Sequence, residues 1–107
     1  MVEITYHRKY NRLTAKGHAY SGEEGHDIVC AAVSALMLTM AGNVNALSRQ
    51  GSVREPGVHL GKGDAEVRCK PVRKMGNVVT LMFDTVGTGF QLLADQYPEY
   101  IRYKVMQ

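Results

Sequence analysis

One histidine and one cysteine in this sequence have surroundings that suit nucleophilic chemistry. His18 lies in the tripeptide Gly17-His18-Ala19, and Cys30 follows twelve residues later, at the beginning of an apolar run. A free thiol is mostly protonated at neutral pH, and its pKa falls near a helix N-terminus or beside an imidazolium. A Cys–His pair in that setting suits acyl transfer, because the thiolate attacks a carbonyl and the imidazolium protonates the leaving amine.

The same two residues also have an ordinary structural interpretation. A free Cys often behaves as a small buried hydrophobe, and a His at a strand end is usually exposed or hydrogen-bonded. Spacing alone favours this interpretation over a catalytic one. Cys69 illustrates it, since Cys69 occupies an inward position of an alternating segment and has no glycine-rich approach.

The first 19 residues predict a β-hairpin that ends near His18. Residues 2–8 alternate between apolar and polar side chains, and residues 13–19 are typical of a returning strand after a polar turn. Residues 21–25, Ser-Gly-Glu-Glu-Gly, are typical of a flexible connector.

A long helix is predicted after this connector, with Asp27 as its N-cap and residues 28 to about 47 as its body. Cys30 would then be the third residue of the first turn, where free backbone N–H groups favour a negative sulfur and could bind an oxyanion. Apolar residues cover most of the circumference of this helix, so it is expected to be buried on several sides, within the fold or at a subunit contact.

The rest of the chain predicts strand, helix and strand. Residues 48–63 are expected to form a loop with a short strand near 58–60, and residues 64–70 alternate as a strand. Residues 77–96 have helical spacing, with Gly87 and Gly89 expected to let another backbone approach, and residues 100–105 form a last strand. The order β-β-α-β-α-β indicates one α+β domain over residues 1–107. Its two layers would be a mainly antiparallel sheet of four to five strands and two helices.

The central stretch resembles the ribosomal-processing cysteine protease family called Prp. The resemblance is carried by Gly17-His18-Ala19 and by residues 25–36, Gly-His-Asp-Ile-Val-Cys-Ala-Ala-Val-Ser-Ala-Leu, with weaker support from residues 96–101. It implies that Cys30 is the nucleophile and that His18 is the general base and acid. Gly17, Asp27 and Ser34 match further positions of the motif, where Asp27 would cap the helix or orient His18, and Ser34 would line the site or pack.

The same resemblance implies a function and a partner. Family members remove a short N-terminal extension from a large-subunit ribosomal protein, by limited endoproteolysis, and they are homodimers with a small α/β fold. Residues 20–26 would border the substrate groove. No cofactor is implied.

Composition narrows the setting in which such a protein would act. The chain has 107 residues, a formal net charge of +3 and only two cysteines, which is too few for a small domain stapled by disulfides. The N-terminus does not have the order of a signal peptide. The longest nearly apolar stretch, residues 29–42, is too short to span a bilayer. A cytoplasmic location is therefore expected.

Metal and nucleic-acid sites have weaker support. His and Cys residues show no short paired spacing, so no metal site is expected. Basic residues form two loose clusters, at 8–16 and at 68–74, without the interleaved aromatics of an RNA platform, so direct nucleic-acid binding is not expected. The alternative function that charge leaves open is a non-enzymatic, basic ribosome- or RNA-binding assembly module.

Overall fold

The computed structural model describes residues 1–17 and 24–107, with side chains at 1–17 and 28–107. The described elements follow one another as β1 (Val2–His7), a 3-10 turn (Arg8–Tyr10), β2 (Arg12–Lys16), α1 (Glu24–Arg49), β3 (Val53–Gly61), β4 (Asp64–Pro71), α2 (Gly76–Gln96) and β5 (Ile101–Met106). The predicted α+β order is confirmed. The short strand expected near residues 58–60 is a nine-residue strand, β3.

The five strands form one mixed sheet in the order β3-β4-β2-β1-β5. Neighbouring strands are antiparallel except for β1 and β5, which are parallel. The edge strand β3 carries Pro56 beside a break in its register with β4, between Arg54 and Gly57. A proline and an irregularity on an edge strand limit pairing with other chains.

Both helices lie on one face of the sheet, where α1 contacts β3 and β4 and α2 contacts β5. The core lies between these layers, because the inward side chains of the strands alternate with exposed ones. Its largest fully buried side chains are Tyr6, Phe83, Phe90, Ile4, Leu13 and Met40. Phe83 and Phe90 both reach this core from α2.

The two glycines of α2 accommodate side chains, where the sequence analysis expected a neighbouring backbone. A Cβ at Gly87 would lie 2.5 Å from the hydroxyl oxygen of Tyr103, and a Cβ at Gly89 would lie 3.2 Å from the Leu36 methyl groups. Because Gly89 has no side chain, Leu36 of α1 can pack directly against α2. Because Gly87 has none, α2 leaves room for the Tyr103 side chain of β5.

Helix α1 begins at Glu24, so the prediction that Asp27 is its N-cap is wrong. Asp27 is the fourth helical residue, and Glu24 and Gly25, which were assigned to the connector, are helical too. Acidic residues such as Glu24 and Asp27 favour the first turn of a helix, which accounts for the earlier start. His18 was predicted at the end of β2; the strand ends at Lys16, and His18 lies outside the described residues.

The apolar part of α1 is longer than the sequence analysis expected. Among the described residues, Ile28–Arg49 is the one helical segment long and apolar enough to cross a membrane, with a mean hydropathy of 1.6. One side of this segment packs against β3 and β4. The same composition is found in core helices of two-layer domains, and α1 is such a helix.

Candidate active site

Cys30 lines a pocket of about 440 Å³ between α1 and the β3–β4 turn. The helix contributes Cys30 and Ser34, which are one turn apart on the same face. The sheet contributes Gly17, directly after β2, and the turn contributes residues 60–65. Three of the five site residues singled out in the sequence therefore line one pocket, although they come from two separate elements.

Gly17 occupies a position that only glycine fits. Its φ is +124°, a backbone conformation that L side chains rarely adopt, and a Cβ there would overlap the carbonyl oxygen of Met1. The Gly17 N–H donates a hydrogen bond to the carbonyl oxygen of Gly63 at 3.1 Å. These contacts fix the chain one residue before His18, at the wall of the pocket.

Cys30 is half-buried and is the seventh residue of α1. The sequence analysis placed it in the first turn, where free N–H groups and the helix dipole act most strongly. The dipole effect falls off within one turn, and from the fifth residue onward each N–H bonds within the helix. The backbone N–H groups and the dipole of α1 therefore act less strongly at Cys30 than its predicted first-turn position implied.

Cys69 provides the contrast within the same chain. It lies in the core on β4, only 2% exposed, as its inward strand position predicted. Burial raises the pKa of the Cys69 thiol to about 11. A thiol with that pKa is almost entirely protonated at neutral pH, so Cys69 is unreactive by comparison.

The β3–β4 turn is the part of the pocket that the sequence analysis missed. Gly61 and Asp64 pair across a two-residue loop, and Gly63 adopts a φ of +75°. The turn faces apolar side chains of α1, so the pocket walls are mainly apolar; Val33, Met37, Leu38, Leu60 and Ala65 contribute to them. The glycines at 61 and 63 indicate a turn, but the sequence does not show that this turn lies opposite Cys30.

The remaining predicted site residues are only partly described. Ser34 is exposed at the pocket wall. Asp27 belongs to the helix backbone, and its side chain lies outside the described part, as do His18 and residues 20–23 of the predicted groove border. Among the side chains that the structure describes, no three His, Cys, Asp or Glu residues lie close enough to hold a metal ion.

Comparison with known proteins identifies the family. The family model described as "Cysteine protease Prp" matches residues 1–102. The chain belongs to the cysteine protease Prp family. A ribosomal processing cysteine protease Prp from Staphylococcus aureus is 34% identical over 103 residues, which cover 94% of this chain and 93% of the relative. The resemblance noted in the sequence and the prediction of a cysteine protease are both confirmed.

Solved structures of Prp relatives share the fold. The S. aureus Prp in complex with a substrate peptide matches with a TM-score of 0.70 at 29% identity, covering 98% of this chain and 97% of the relative. The S. aureus Prp with a covalently linked product peptide matches with a TM-score of 0.68 at 30% identity, with the same coverage. The α+β fold of this chain is therefore the Prp fold.

Proposed function

We propose that this chain is a cytoplasmic endopeptidase that removes the N-terminal extension of a large-subunit ribosomal protein during ribosome assembly. Cys30 is the nucleophile, and His18 is the general base and acid. The observation that supports this proposal most directly is the pocket shared by Cys30, Ser34 and Gly17. His18 directly follows Gly17 in the sequence.

The proposed reaction has two steps. The Cys30 thiolate attacks the peptide carbonyl carbon, the C–N bond breaks, and the His18 imidazolium gives its proton to the leaving amine. A water molecule then loses a proton to His18 and attacks the thioester, which releases the carboxylic acid and restores the Cys30 sulfur. A product peptide covalently linked to the S. aureus relative supports an intermediate of this kind.

The pocket walls indicate what the peptide would present. Apolar side chains of α1 and the β3–β4 turn would bury an apolar side chain of the peptide near the cleaved bond. Ser34, exposed at the wall, is placed to hydrogen-bond the polar backbone of the peptide beside it. We propose that Asp27 orients His18. Asp27 is not the N-cap of α1, because the helix begins at Glu24.

A cleavage assay tests the assignment. The substrate is a synthetic peptide that spans the N-terminal extension and the first mature residues of a large-subunit ribosomal protein, and mass spectrometry locates the cut. We expect cleavage by the parent chain, no measurable cleavage by Cys30→Ala or His18→Ala, and unchanged cleavage by Cys69→Ala. Cleavage that persists in Cys30→Ala would overturn the proposed nucleophile.

The non-enzymatic alternative is not retained as a separate function, because the chain belongs to a protease family. We also propose that the chain forms a homodimer. Large exposed apolar side chains on both helices support a protein contact there: Ile28 on α1, and Leu81 and Leu92 on α2.

A further inference from the structure

The face of the sheet opposite the helices is formed by outward side chains of all five strands. In the part of the chain that the structure describes, both helices lie on the other face. Register pairs Arg12 with Arg68 across β2 and β4, and Thr5 with Lys104 across β1 and β5. The basic residues of β2 and β4, which belong to two separate clusters in the sequence, therefore meet on one surface.

Charge is divided unequally between the two layers. The segments that form α1 and α2 contain one basic residue, Arg49, and four acidic residues, a net charge of −3. Because the whole chain carries +3, the strands and connections carry +6. The outward strand positions hold seven of these basic residues: Arg12, Lys16, Arg54, Arg68, Lys70, Arg102 and Lys104.

Ion pairing neutralises only part of this surface. Arg12 pairs with Glu66, and Lys70 pairs with Glu55 at 3.1 Å. Five exposed basic residues on this surface have no carboxylate partner among the described side chains, and we call these five the basic sheet face: Lys16, Arg54, Arg68, Arg102 and Lys104.

His7, the last residue of β1, lies near several of these charges. Its pKa is lowered first by burial, and then by Arg12 on β2 and Lys104 on β5, while Glu66 acts in the opposite direction. At His7, the two basic groups therefore outweigh Glu66.

The strands of this surface have the chemistry to bind phosphates and no aromatic rings to stack bases, although the exposed ring of Tyr10 in the 3-10 turn lies beside Arg12 and Arg68. The outward strand positions carry no Phe, Tyr or Trp in the described strands, and single-stranded nucleic acids usually need such stacking platforms. The basic groups of β5 and β4 lie three strand spacings apart, about 14 Å. That separation suits contact with both backbones of a duplex, which proteins recognise by shape and by phosphate contacts.

We infer that the basic sheet face is a docking surface for the phosphate backbone of double-stranded RNA. Binding is independent of base sequence and holds the enzyme beside an RNA-bound substrate. This inference departs from the expectation that the chain does not bind nucleic acid directly. The choice of RNA over other polyanions rests on the proposed function, whose substrate is a ribosomal protein.

Fluorescence anisotropy with a labelled RNA duplex of about 16 base pairs tests the inference. The variant Arg68→Gln/Arg102→Gln/Lys104→Gln removes three contacts, whereas Arg49→Gln/Arg73→Gln/Lys74→Gln removes the same net charge outside the face. We expect the first variant to lose about tenfold or more in affinity at low salt and to lower the salt slope by about three. The control variant should stay close to the parent, and duplexes of unrelated sequence should bind equally.

Three results would overturn the inference: no binding by the parent at low salt, equal losses in both variants, or competition by polyglutamate as strong as that by RNA at equal charge. Circular dichroism and cleavage of the short peptide show whether each variant is folded. Cleavage of that peptide does not involve the basic sheet face. If the parent binds RNA but cleaves no peptide, the proposed function fails and the docking surface stands.

Discussion

At the scale of single residues, the two thiols differ in both exposure and protonation. Cys30 is half-buried at a pocket, and Cys69 is enclosed in the core with a pKa raised to about 11. Nucleophilic reactivity follows the thiolate fraction and access to the sulfur. Helix position contributes less to Cys30 than the sequence suggested, so His18 is the main group that we propose to activate it.

Alkylation separates these two thiols. Iodoacetamide at pH 7 should modify Cys30 at least about a hundredfold faster than Cys69, because a thiol with a pKa near 11 has almost no thiolate at that pH. Peptide mapping by mass spectrometry measures both rates in one sample. His18→Ala should slow only the Cys30 reaction, and equal rates in the parent would contradict the proposed role.

Gly17 allows a second test at this scale. Gly17→Ala should destabilise the fold by about 1–3 kcal/mol, because it combines a positive φ with an overlap against Met1. Activity against the peptide should fall as well, because the chain entering His18 must shift. Gly42→Ala is the matched control, since a Cβ at Gly42 meets nothing within 4 Å and α1 gains helix propensity there. Urea denaturation and peptide cleavage report the two effects, and a neutral Gly17→Ala would refute the steric argument.

At the scale of elements, a polar cluster joins β1 and the 3-10 turn to α2. The Tyr6 hydroxyl donates a hydrogen bond to Asp84 Oδ1 at 2.8 Å, and the Arg8 guanidinium donates to both Asp84 oxygens at 3.1 Å. The Arg8 hydrogen bonds hold the pKa of Asp84 below its usual value, although burial opposes the shift. Because the charged carboxylate is favoured in the fold, Asp84 stabilises the protein above about pH 4.

Replacing this carboxylate should make the pH dependence visible. Asp84→Ala should lower the free energy of unfolding by about 1 kcal/mol or more at pH 7, because Tyr6 loses its partner. The difference from the parent should shrink as the pH falls through the lowered pKa of Asp84. Asp95→Ala, on the same helix and bonded only to Gln91 among described partners, should change stability little. A difference that is constant down to pH 2 would contradict the charge argument.

The sequence predicted well the elements whose buried side chains repeat regularly, and it predicted poorly those whose place depends on strand pairing. Periodicity located β4 and α2 within one residue, since burial repeats along them. It missed the extent of β3, because an edge strand that is mostly exposed and contains Pro56 has no alternation to detect. In the site, helical spacing predicted that Cys30 and Ser34 share a face, but the opposing turn at 60–65 depends on the pairing of β4 with both β2 and β3.

At the scale of the whole molecule, the two layers present different outer surfaces. The helix segments are net acidic, with exposed apolar side chains, and the sheet is basic. A protein contact through the helices and an RNA contact through the sheet therefore do not compete for the same surface.

The proposed homodimer can be tested on this surface. Native mass spectrometry should give twice the mass of the 107-residue chain, and Leu81→Glu/Leu92→Glu on the outward face of α2 should shift the protein toward monomer. Gln50→Glu/Gln107→Glu, at exposed positions outside both helices, adds equal charge and should leave the dimer intact. A monomeric parent at micromolar concentration would refute the proposal.

The three-sided construction of the pocket has a consequence for the moment at which this protease can first act. The cleft needs the start of the chain, the helix with Cys30 and a turn at residues 60–65 that is held in place only after β4 has paired with β2. A chain still emerging from the ribosome and ending before that strand has no complete cleft. The cleft therefore cannot be complete before about two thirds of the enzyme has been synthesised.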